Sequence, residues 1–468
     1  MRVLLIEPPL SVTKQGIFPR HPPQYALYSA AVLREAGTEV SILDAFLEDL
    51  DINETVERVL EVNPDLTLLL PFDYTRETEP RVTIELVRRI HGAAPHMILG
   101  LGGSVDAGFL RQCMDDAGGL SFAICGEYEL AMARIAAHGG TDLSAIPGLL
   151  VRDGGRVVET GAGDVVEDLD KLPFPAWDLI DFKRYTFVPH RYRRTPMYPL
   201  LASRGCPFAC LCCKEATYSK IIHYRLRSVP DVLREIRFAI ERYGAREIQF
   251  SDATFGIRKE WVFELCDGLE REKLDVTWSA LMRANLMTPD VLERMAATGC
   301  WNVLVGVESA NQHALDRVGK GITPDLALKA VRAARDAGIE VTASFILGLP
   351  GEDRADVLRT IDLAIDLAPD YAQFFLWKYY GLENPFADCG RLDDTWDLSQ
   401  IDFRGPVFIP NGFRDKAELK ELQRFAYRRF YLRPAYVWRR LPDLLSFEQM
   451  RRSIRGVATL LKTCIQHG

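Results

Sequence analysis

Short apolar runs alternate with amphipathic stretches in two separate blocks of this 468-residue chain, and this alternation restricts the fold more than any other feature. In the first block, strands are predicted at residues 3–7, 40–45, 66–70, 97–103 and 122–126. Helices are predicted between them at residues 25–36, 54–62, 81–90 and 127–137. Such alternation builds a parallel sheet that is covered by helices on both faces. We therefore predict an α/β, doubly wound, Rossmann-like domain over residues 1–165.

The alternation begins again at Pro199 and yields six further strand–helix units. Their strands are predicted at residues 200–203, 247–251, 277–282, 302–308, 341–349 and 371–377. Right-handed crossovers would curl these units into an open barrel whose functional groups stand at the carboxyl ends of the strands. We predict a partial (β/α)6 barrel of the TIM type over residues 196–385, joined to the first domain by a linker at residues 166–195.

Two smaller features complete the predicted architecture. Gly154 and Gly155 separate two extended stretches and predict the turn of a hairpin. Residues 386–468 are rich in arginine and aromatic side chains, and we predict a C-terminal helical cap there. Two interpretations of this cap stay open: a basic aromatic helix that contacts a membrane or an acidic, lipid-like substrate, or aromatic side chains packed on the barrel with the arginines in solvent.

The most specific motif is a group of cysteines that directly follows the first predicted barrel strand. Cys206, Cys210 and Cys213 have the spacing CxxxCxxC. Three thiolates can hold three irons of a 4Fe–4S cluster and leave the fourth iron open to a small molecule. A zinc site or a disulfide cluster is the alternative, but a closed zinc site needs a fourth ligand and His223 stands alone in this region. We predict that these three cysteines are the metal ligands and the catalytic centre, with Cys212 as a spare thiol.

The cysteine run at 205–213, together with segments at 251–255, 306–309 and 344–352, resembles the radical S-adenosylmethionine (SAM) superfamily. The resemblance implies a 4Fe–4S cluster whose open iron chelates SAM and cleaves it reductively to a deoxyadenosyl radical. Three positions depart from the family pattern: Cys212 stands where an aromatic residue is usual, Ser344 replaces a glycine, and residues 379–382 lack the glycine-threonine ending usual after the sixth strand. The SAM contacts that the resemblance implies are Cys212, Asp252, Arg283, Glu308, Ser309, Ile346 and Gly348.

The first domain resembles the cobalamin-binding domains that are fused to many radical SAM enzymes. Pro8-Pro9 opens the domain, and glycine-rich turns follow two neighbouring strands. The alternatives are a dinucleotide site, disfavoured because the run at 100–105 lacks the last glycine of GxGxxG, and a domain used only for packing or partner contact. No histidine stands in the DxHxxG pattern, so the resemblance implies a cobalt face without a histidine ligand. The implied cobalamin contacts are Tyr74, Thr75, Gly102, Gly103, Ser104, Gly126 and Glu127.

Charge and hydropathy limit the partners that we expect. The formal net charge of −8 disfavours a nucleic-acid partner, because phosphate binding needs a basic surface. No run approaches the roughly 20 apolar residues that cross a bilayer. The apolar run at 3–6 is broken by Pro8-Pro9 and lacks the cleavage site of a signal peptide. We therefore expect a cytoplasmic protein, with its thiols in a reducing compartment.

Taken together, the two resemblances imply a cobalamin-dependent radical SAM enzyme. The most common activity of such enzymes is methylation of an unactivated carbon or phosphorus in a small molecule or natural-product intermediate. A second hypothesis is non-methylating oxidation, cyclisation or ring rearrangement, as in the similar anaerobic Mg-protoporphyrin cyclase-type enzymes. A third is an iron–sulfur redox or binding protein. Expected partners are a small, partly hydrophobic substrate and an electron donor such as ferredoxin or flavodoxin.

Overall fold

The first domain contains a seven-stranded sheet in the order β2-β1-β3-β4-β5-β6-β7. The computed structural model describes residues 1–10, 20–72, 80–103, 107–185, 191–211, 213, 223–377, 384–392 and 408–440. The strands are β1 (Arg2–Glu7), β2 (Glu39–Asp44), β3 (Leu66–Phe72), β4 (Ile98–Gly103), β5 (Phe122–Cys125), β6 (Leu149–Asp153) and β7 (Arg156–Glu159). The first five pair in parallel, whereas β6 and β7 pair antiparallel at one edge. The predicted doubly wound sheet is confirmed, and the predicted hairpin at Gly154-Gly155 extends it.

Helices cover both faces of this sheet, because the apolar side chains of its strands point alternately to two separate cores. The helices are α1 (Gln24–Glu35), α2 (Ile52–Val62), α3 (Pro80–Ala93), α4 (Ala107–Ala117) and α5 (Tyr128–Ala137). A capping box starts α2, where Asp51 accepts from the Glu54 backbone N–H and Glu54 accepts from that of Asp51. The sequence analysis did not predict α4, although Phe109, Leu110, Cys113 and Met114 bury one face of it.

The second domain is a six-stranded parallel sheet in the order β15-β14-β13-β12-β11-β8. Its strands are β8 (Met197–Leu200), β11 (Glu247–Phe250), β12 (Thr277–Met282), β13 (Cys300–Glu308), β14 (Glu340–Leu347) and β15 (Tyr371–Leu376). β8 and β15 are the two edges, so the sheet forms a partial barrel, as predicted. The first strand is the exception: it begins at Met197 and ends at Leu200, whereas the sequence analysis placed it at 200–203. Pro199 fits this position because β8 is an edge strand.

The helices of the second domain pack against the outer face of the barrel. They are α6 (Val229–Tyr243), α7 (Lys259–Arg271), α8 (Pro289–Ala297), α9 (Gln312–Arg317), α10 (Pro324–Asp336) and α11 (Arg354–Leu367). Outward-facing strand residues such as Ile248, Trp278 and Val303 join them in one large core. The side chains of Ser228 and Thr323 accept hydrogen bonds from backbone N–H groups at the starts of α6 and α10. Each of these helices has a proline in its first turn.

A short ribbon flanks the cysteine loop at the carboxyl end of the barrel. It consists of β9 (Ser203–Arg204) and β10 (Arg225–Leu226), which pair antiparallel. The ribbon begins three residues after the end of β8. The residues that the sequence analysis assigned to the end of the first barrel strand therefore form the base of the cysteine loop instead.

The C-terminal region begins with a second ribbon, β16 (Gly390–Leu392) and β17 (Phe408–Pro410), followed by α12 (Lys416–Tyr431) and α13 (Pro434–Arg440). The helical part agrees with the predicted cap, whereas the ribbon was not predicted. The hydroxyls of Tyr427 and Tyr431 form hydrogen bonds with backbone groups of β15. Arg439 and Arg440 also donate to backbone carbonyls at 368–370, although Arg439 itself stays exposed. No described helix combines the length and the apolar content that a bilayer crossing requires.

A buried network of opposite charges joins the two domains. Arg225 donates from both terminal nitrogens to Glu127, at 2.6 and 3.1 Å. Arg204 donates to Glu129 at 2.6 Å and lies 3.4 Å from Glu127. Side-chain exposure does not exceed 5% at any of these four residues. Because the glutamates follow β5 and the arginines belong to the ribbon β9–β10, the network brings the carboxyl edges of the two sheets together.

Replacement of Glu127 by alanine should destabilise the protein strongly. The change leaves Arg225 buried without its carboxylate, and breaking a buried pair from one side costs about 3–5 kcal/mol. The free energy of unfolding in urea measures this loss. The matched control is Asp178→Ala, which breaks the half-exposed pair between Asp178 and Arg34; this change should cost less than about 1 kcal/mol. Equal losses in both variants would contradict the structural role of the network.

Candidate active site

The cysteine loop leaves the ribbon at Gly205, whose φ of +76° suits a residue without a side chain. The Leu211 backbone N–H donates to the Val318 carbonyl at 2.8 Å, and that of Cys213 donates to the Cys210 carbonyl at 3.0 Å. These two bonds hold the loop to the barrel and fold its second half into a tight turn. Cys206 is half-buried, Cys210 is buried and Cys213 is exposed.

Two of the three predicted ligands contact side chains at other strand ends. The Cys206 sulfur lies 3.6 Å from the Thr254 hydroxyl, and the Cys210 sulfur accepts from Arg283 at 3.1 Å. Three thiols on one loop, beside a guanidinium that can balance negative sulfur, form a donor set that fits an iron–sulfur cluster. Within the described part of the chain, however, no three His, Cys, Asp or Glu side chains are grouped so that they could hold a metal ion. The assignment of the ligands therefore stays a prediction.

Arg283 connects three parts of the site and is buried, with 7% exposure. It directly follows β12, and its guanidinium lies 3.8 Å from the ring centre of Phe208 in the cysteine loop. It also donates to the Lys320 carbonyl and, at 3.2 Å, to Asn285. The residue predicted at this strand end is thus placed beside the cysteine loop. Its contact with the SAM carboxylate remains a prediction.

Asp252 lies after β11 and is buried. It accepts from the Ser203 hydroxyl and, at 3.3 Å, from the Ala202 backbone N–H. Burial raises the pKa of Asp252 to about 6, although its hydrogen bonds oppose the shift. The carboxylate therefore ties the end of β11 to the base of the cysteine loop, two residues from Thr254.

Glu308 and Lys320 form a buried ion pair with 2.6 Å between Lys320 Nζ and Glu308 Oε1. Glu308 has a φ of +66°, and the pairing of β13 with β14 shifts register between Gly306 and Glu308. A side chain on Gly306 would overlap the Glu308 carboxylate and lie 2.8 Å from Lys320 Nζ. A strained backbone at a strand end is typical of functional sites. The sequence analysis predicted Glu308 as a SAM contact and missed Lys320, which no motif marked.

Ser309 and Gly348 meet at a third buried carboxylate, Glu352. Glu352 accepts from the Ser309 hydroxyl at 2.5 Å and from the backbone N–H groups of Gly348 and Leu349 at 3.0 and 2.9 Å. Gly348 has a φ of +82°, and a Cβ there would lie 2.8 Å from the Leu419 side chain of α12. Ile346 is half-buried. In the structure, Ser309 donates to Glu352, and Gly348 allows Leu419 to pack closely. The contacts of both residues with SAM remain predictions.

Among the residues predicted to contact cobalamin, Gly102 and Gly103 end β4, whereas Gly126 and Glu127 follow β5. Gly102 packs closely, since a Cβ there would lie 2.7 Å from Leu70 and 3.0 Å from Tyr128. Gly103 pairs with Cys125 at the end of the sheet, and Gly126 has a φ of +124°. Glu127 belongs to the interdomain network, where burial opposes ionisation but Arg204 and Arg225 hold its pKa below the usual value. The other cobalamin candidates, Tyr74, Thr75 and Ser104, lie outside the described residues, as does the predicted SAM contact Cys212.

One family model, that of the radical SAM superfamily, matches residues 200–364. Residues 200–364 therefore form a radical SAM domain. This domain begins at the last residue of β8 and contains the cysteine loop and the strand ends described above. The family recognised from the cysteine spacing is thereby confirmed, as is the predicted barrel.

Similar proteins extend over both domains. An uncharacterised methyltransferase of Pyrococcus horikoshii is 29% identical over 98% of each chain. An anaerobic magnesium-protoporphyrin IX monomethyl ester cyclase of Rubrivivax gelatinosus is 27% identical over 93% of this chain and 78% of the relative. The solved radical SAM methyltransferase TsrM from Kitasatospora setae, with cobalamin and a [4Fe-4S] cluster bound, covers 80% of this chain and 74% of its own, with 19% identity and a TM-score of 0.63. This likeness shows that the two proteins share a fold.

The buried carboxyl of Glu352 makes the stability of the protein depend on pH. Burial raises the pKa of Glu352 to about 7 in the folded state, against an ordinary value of 4.5. The unfolded chain loses this proton first, so the contribution is fully present below pH 4.5 and is lost as pH rises towards 7. In Glu352→Gln, which keeps an acceptor for both backbone N–H groups, the unfolding free energy should decline less between pH 5 and 7. Unfolding in urea at several pH values measures how steeply the unfolding free energy falls with pH. Equal slopes for Glu352→Gln and the wild-type protein would contradict the raised pKa of Glu352.

Proposed function

We propose that this protein is a cobalamin-dependent radical SAM methyltransferase that acts on a small molecule. One observation carries the proposal: the buried network places the carboxyl edge of the N-terminal sheet against the base of the cysteine loop. Arg204, which contacts both glutamates after β5, stands two residues before Cys206. Ligands of open α/β sheets and of barrels both bind at these edges. Two cofactors bound at the two edges would therefore share one space.

Similarity over both domains supports the same activity. The Pyrococcus methyltransferase matches nearly the whole of both chains, and TsrM shares the two-domain fold. When bound, a 4Fe–4S cluster with SAM supplies a deoxyadenosyl radical, and cobalamin supplies a transferable methyl group. We propose that the protein works in the cytoplasm with a low-potential electron donor such as ferredoxin or flavodoxin.

Different residues of this chain would hold the cluster and SAM. Cys206, Cys210 and Cys213 would hold the cluster. Arg283 fixes the Cys210 end of the loop and adds a positive charge beside it. The Glu308–Lys320 pair offers a carboxylate and an ammonium at the next strand end, which suits the two charges of an amino acid moiety. Burial of these groups excludes water from the place where a radical would form.

A second candidate function is a radical oxidation or cyclisation without methyl transfer. It is favoured by the similarity to the Rubrivivax cyclase, which extends over 93% of this chain. The two functions predict different products. The protein is reconstituted anaerobically with iron, sulfide and cobalamin, reduced, and supplied with SAM. S-adenosylhomocysteine that depends on cobalamin would support methyl transfer, whereas deoxyadenosine alone would support the second candidate. Neither product from a cluster-loaded protein would contradict both and favour an iron–sulfur redox or binding protein.

Cysteine variants test the ligand assignment. Alanine at position 206, 210 or 213 should reduce bound iron to background and abolish SAM cleavage, since each change removes one of three thiolates. Cys212→Ala is the matched control on the same loop and should retain the cluster. Iron analysis and the yield of deoxyadenosine measure the two effects. Loss of the cluster in Cys212→Ala alone would overturn the assignment.

A further inference from the structure

The inside of the barrel is a cavity of about 430 Å³. It extends from the middle of the strands up to Asp252, and its walls include residues of five barrel strands or their ends. A volume of this size is typical of sites for small molecules. One wall comes from the first domain, where Gln24 is the first residue of α1. The cavity is therefore completed by the contact between the two domains.

At one level in the middle of the barrel, the side chains that line the cavity are mostly polar. Pro199, Gln249, Ser279 and Asn302 stand at the same level on four neighbouring strands. Gln373 of β15 lines the opposite side. The interior of a closed barrel is normally filled by large branched apolar residues. Amides and a hydroxyl at these positions, around open space, indicate a surface that binds a ligand through hydrogen bonds.

Gln24 provides the most direct sign of a missing ligand group. Gln24 is only 3% exposed, yet the Nε2 atom of its side chain has no hydrogen-bond partner among the described residues. A buried donor without a partner costs about 1–3 kcal/mol, and such groups are uncommon in native proteins. Gln24 lines the cavity, so a rotation of its side chain would bring this donor to an acceptor atom of a bound molecule.

The charges around the cavity argue against a ligand with a net charge. Asp252 stands on one part of the wall and Arg191 on another, so the lining carries both signs. Asp252 is already engaged by Ser203 and Ala202. Leu281 and Leu304 give the wall an apolar part. A ligand that fits this surface has an apolar body and neutral groups that both donate and accept hydrogen bonds.

The cavity also reaches the predicted radical centre. Asp252, at its upper end, stands two residues before Thr254, whose hydroxyl lies 3.6 Å from the Cys206 sulfur. We propose that this cavity is the substrate site and that it selects a neutral molecule with an apolar body and amide-type donors and acceptors, with Gln24 donating to one of its acceptor atoms. The proposal deepens the proposed function and rests on it, because it assigns the cavity to the substrate of that reaction.

A matched series of three ligands tests the proposed selectivity. N-acetyl-L-phenylalaninamide is neutral, N-acetyl-L-phenylalanine is an anion and L-phenylalaninamide is a cation, on one common body. Their affinities for the reconstituted full-length protein are measured by ligand-observed NMR. The neutral ligand should bind at least about tenfold more tightly than either ion, a difference of about 1.4 kcal/mol. An ion that binds as tightly as the neutral ligand, or no binding of the neutral ligand, would overturn the proposal.

Gln24→Leu tests the role of the unsatisfied donor, because leucine has similar bulk and no amide. The affinity for the neutral ligand should fall about tenfold, while the thermal midpoint should stay the same or rise, since a buried unsatisfied group is removed. The matched control is Gln112→Leu on the exposed face of α4, which should keep wild-type affinity. Unchanged affinity in Gln24→Leu would overturn the assignment of this residue. Iron content and SAM cleavage are measured in parallel, so failure of the proposed function would be seen separately from failure of this inference.

Discussion

The buried pairing of two glutamates with two arginines is the interaction on which the rest of the structure depends. Each domain has its own core, and Leu27 of α1 also packs into the core of the barrel domain. The network joins the two sheet edges at one place, because Glu127 and Glu129 follow β5 while Arg204 and Arg225 flank the cysteine loop. Burying four charges carries a large desolvation cost, which is offset only when every charge has its partner in good geometry. The arrangement therefore favours a single relative position of the domains.

Several features of the site follow from that fixed position. The cavity inside the barrel gains a wall from α1 of the first domain, and the base of the cysteine loop cannot shift without separating Arg204 from Glu129. Buried carboxylates recur at the barrel strand ends, where Asp252, Glu308 and Glu352 each join one strand end to another element. These contacts hold the loop-rich edge of the barrel in shape without filling its centre. An open polar interior and a rigid rim are what a reaction on a bound small molecule requires.

The strands could be predicted from the sequence because their apolar runs are continuous, and the bounds of β12 were predicted without error at 277–282. Elsewhere the local sequence is a poorer guide to the element bounds. The first barrel strand was placed too late because Pro199 was read as its start, although a proline is tolerated within an edge strand. The helix α4 was missed, although its buried residues recur at the helical spacing of three and four.

The side-chain partners could not be predicted, since they depend on residues far apart in the sequence. Glu127 was predicted as a cofactor contact from its turn, and its pairing with Arg225, 98 residues away, has no local signal. Lys320 and Gln24 were missed for the same reason. The family, in contrast, was predicted correctly, because the CxxxCxxC spacing is itself a local feature.

The central claim is that both cofactors occupy one space between the facing sheet edges. Electron paramagnetic resonance of the protein loaded with cob(II)alamin tests it directly, first with the cluster oxidised and then with the cluster reduced. The account predicts that reduction of the cluster broadens or splits the cobalt signal, because two nearby unpaired spins couple. A cobalt signal that is identical in both states would contradict it.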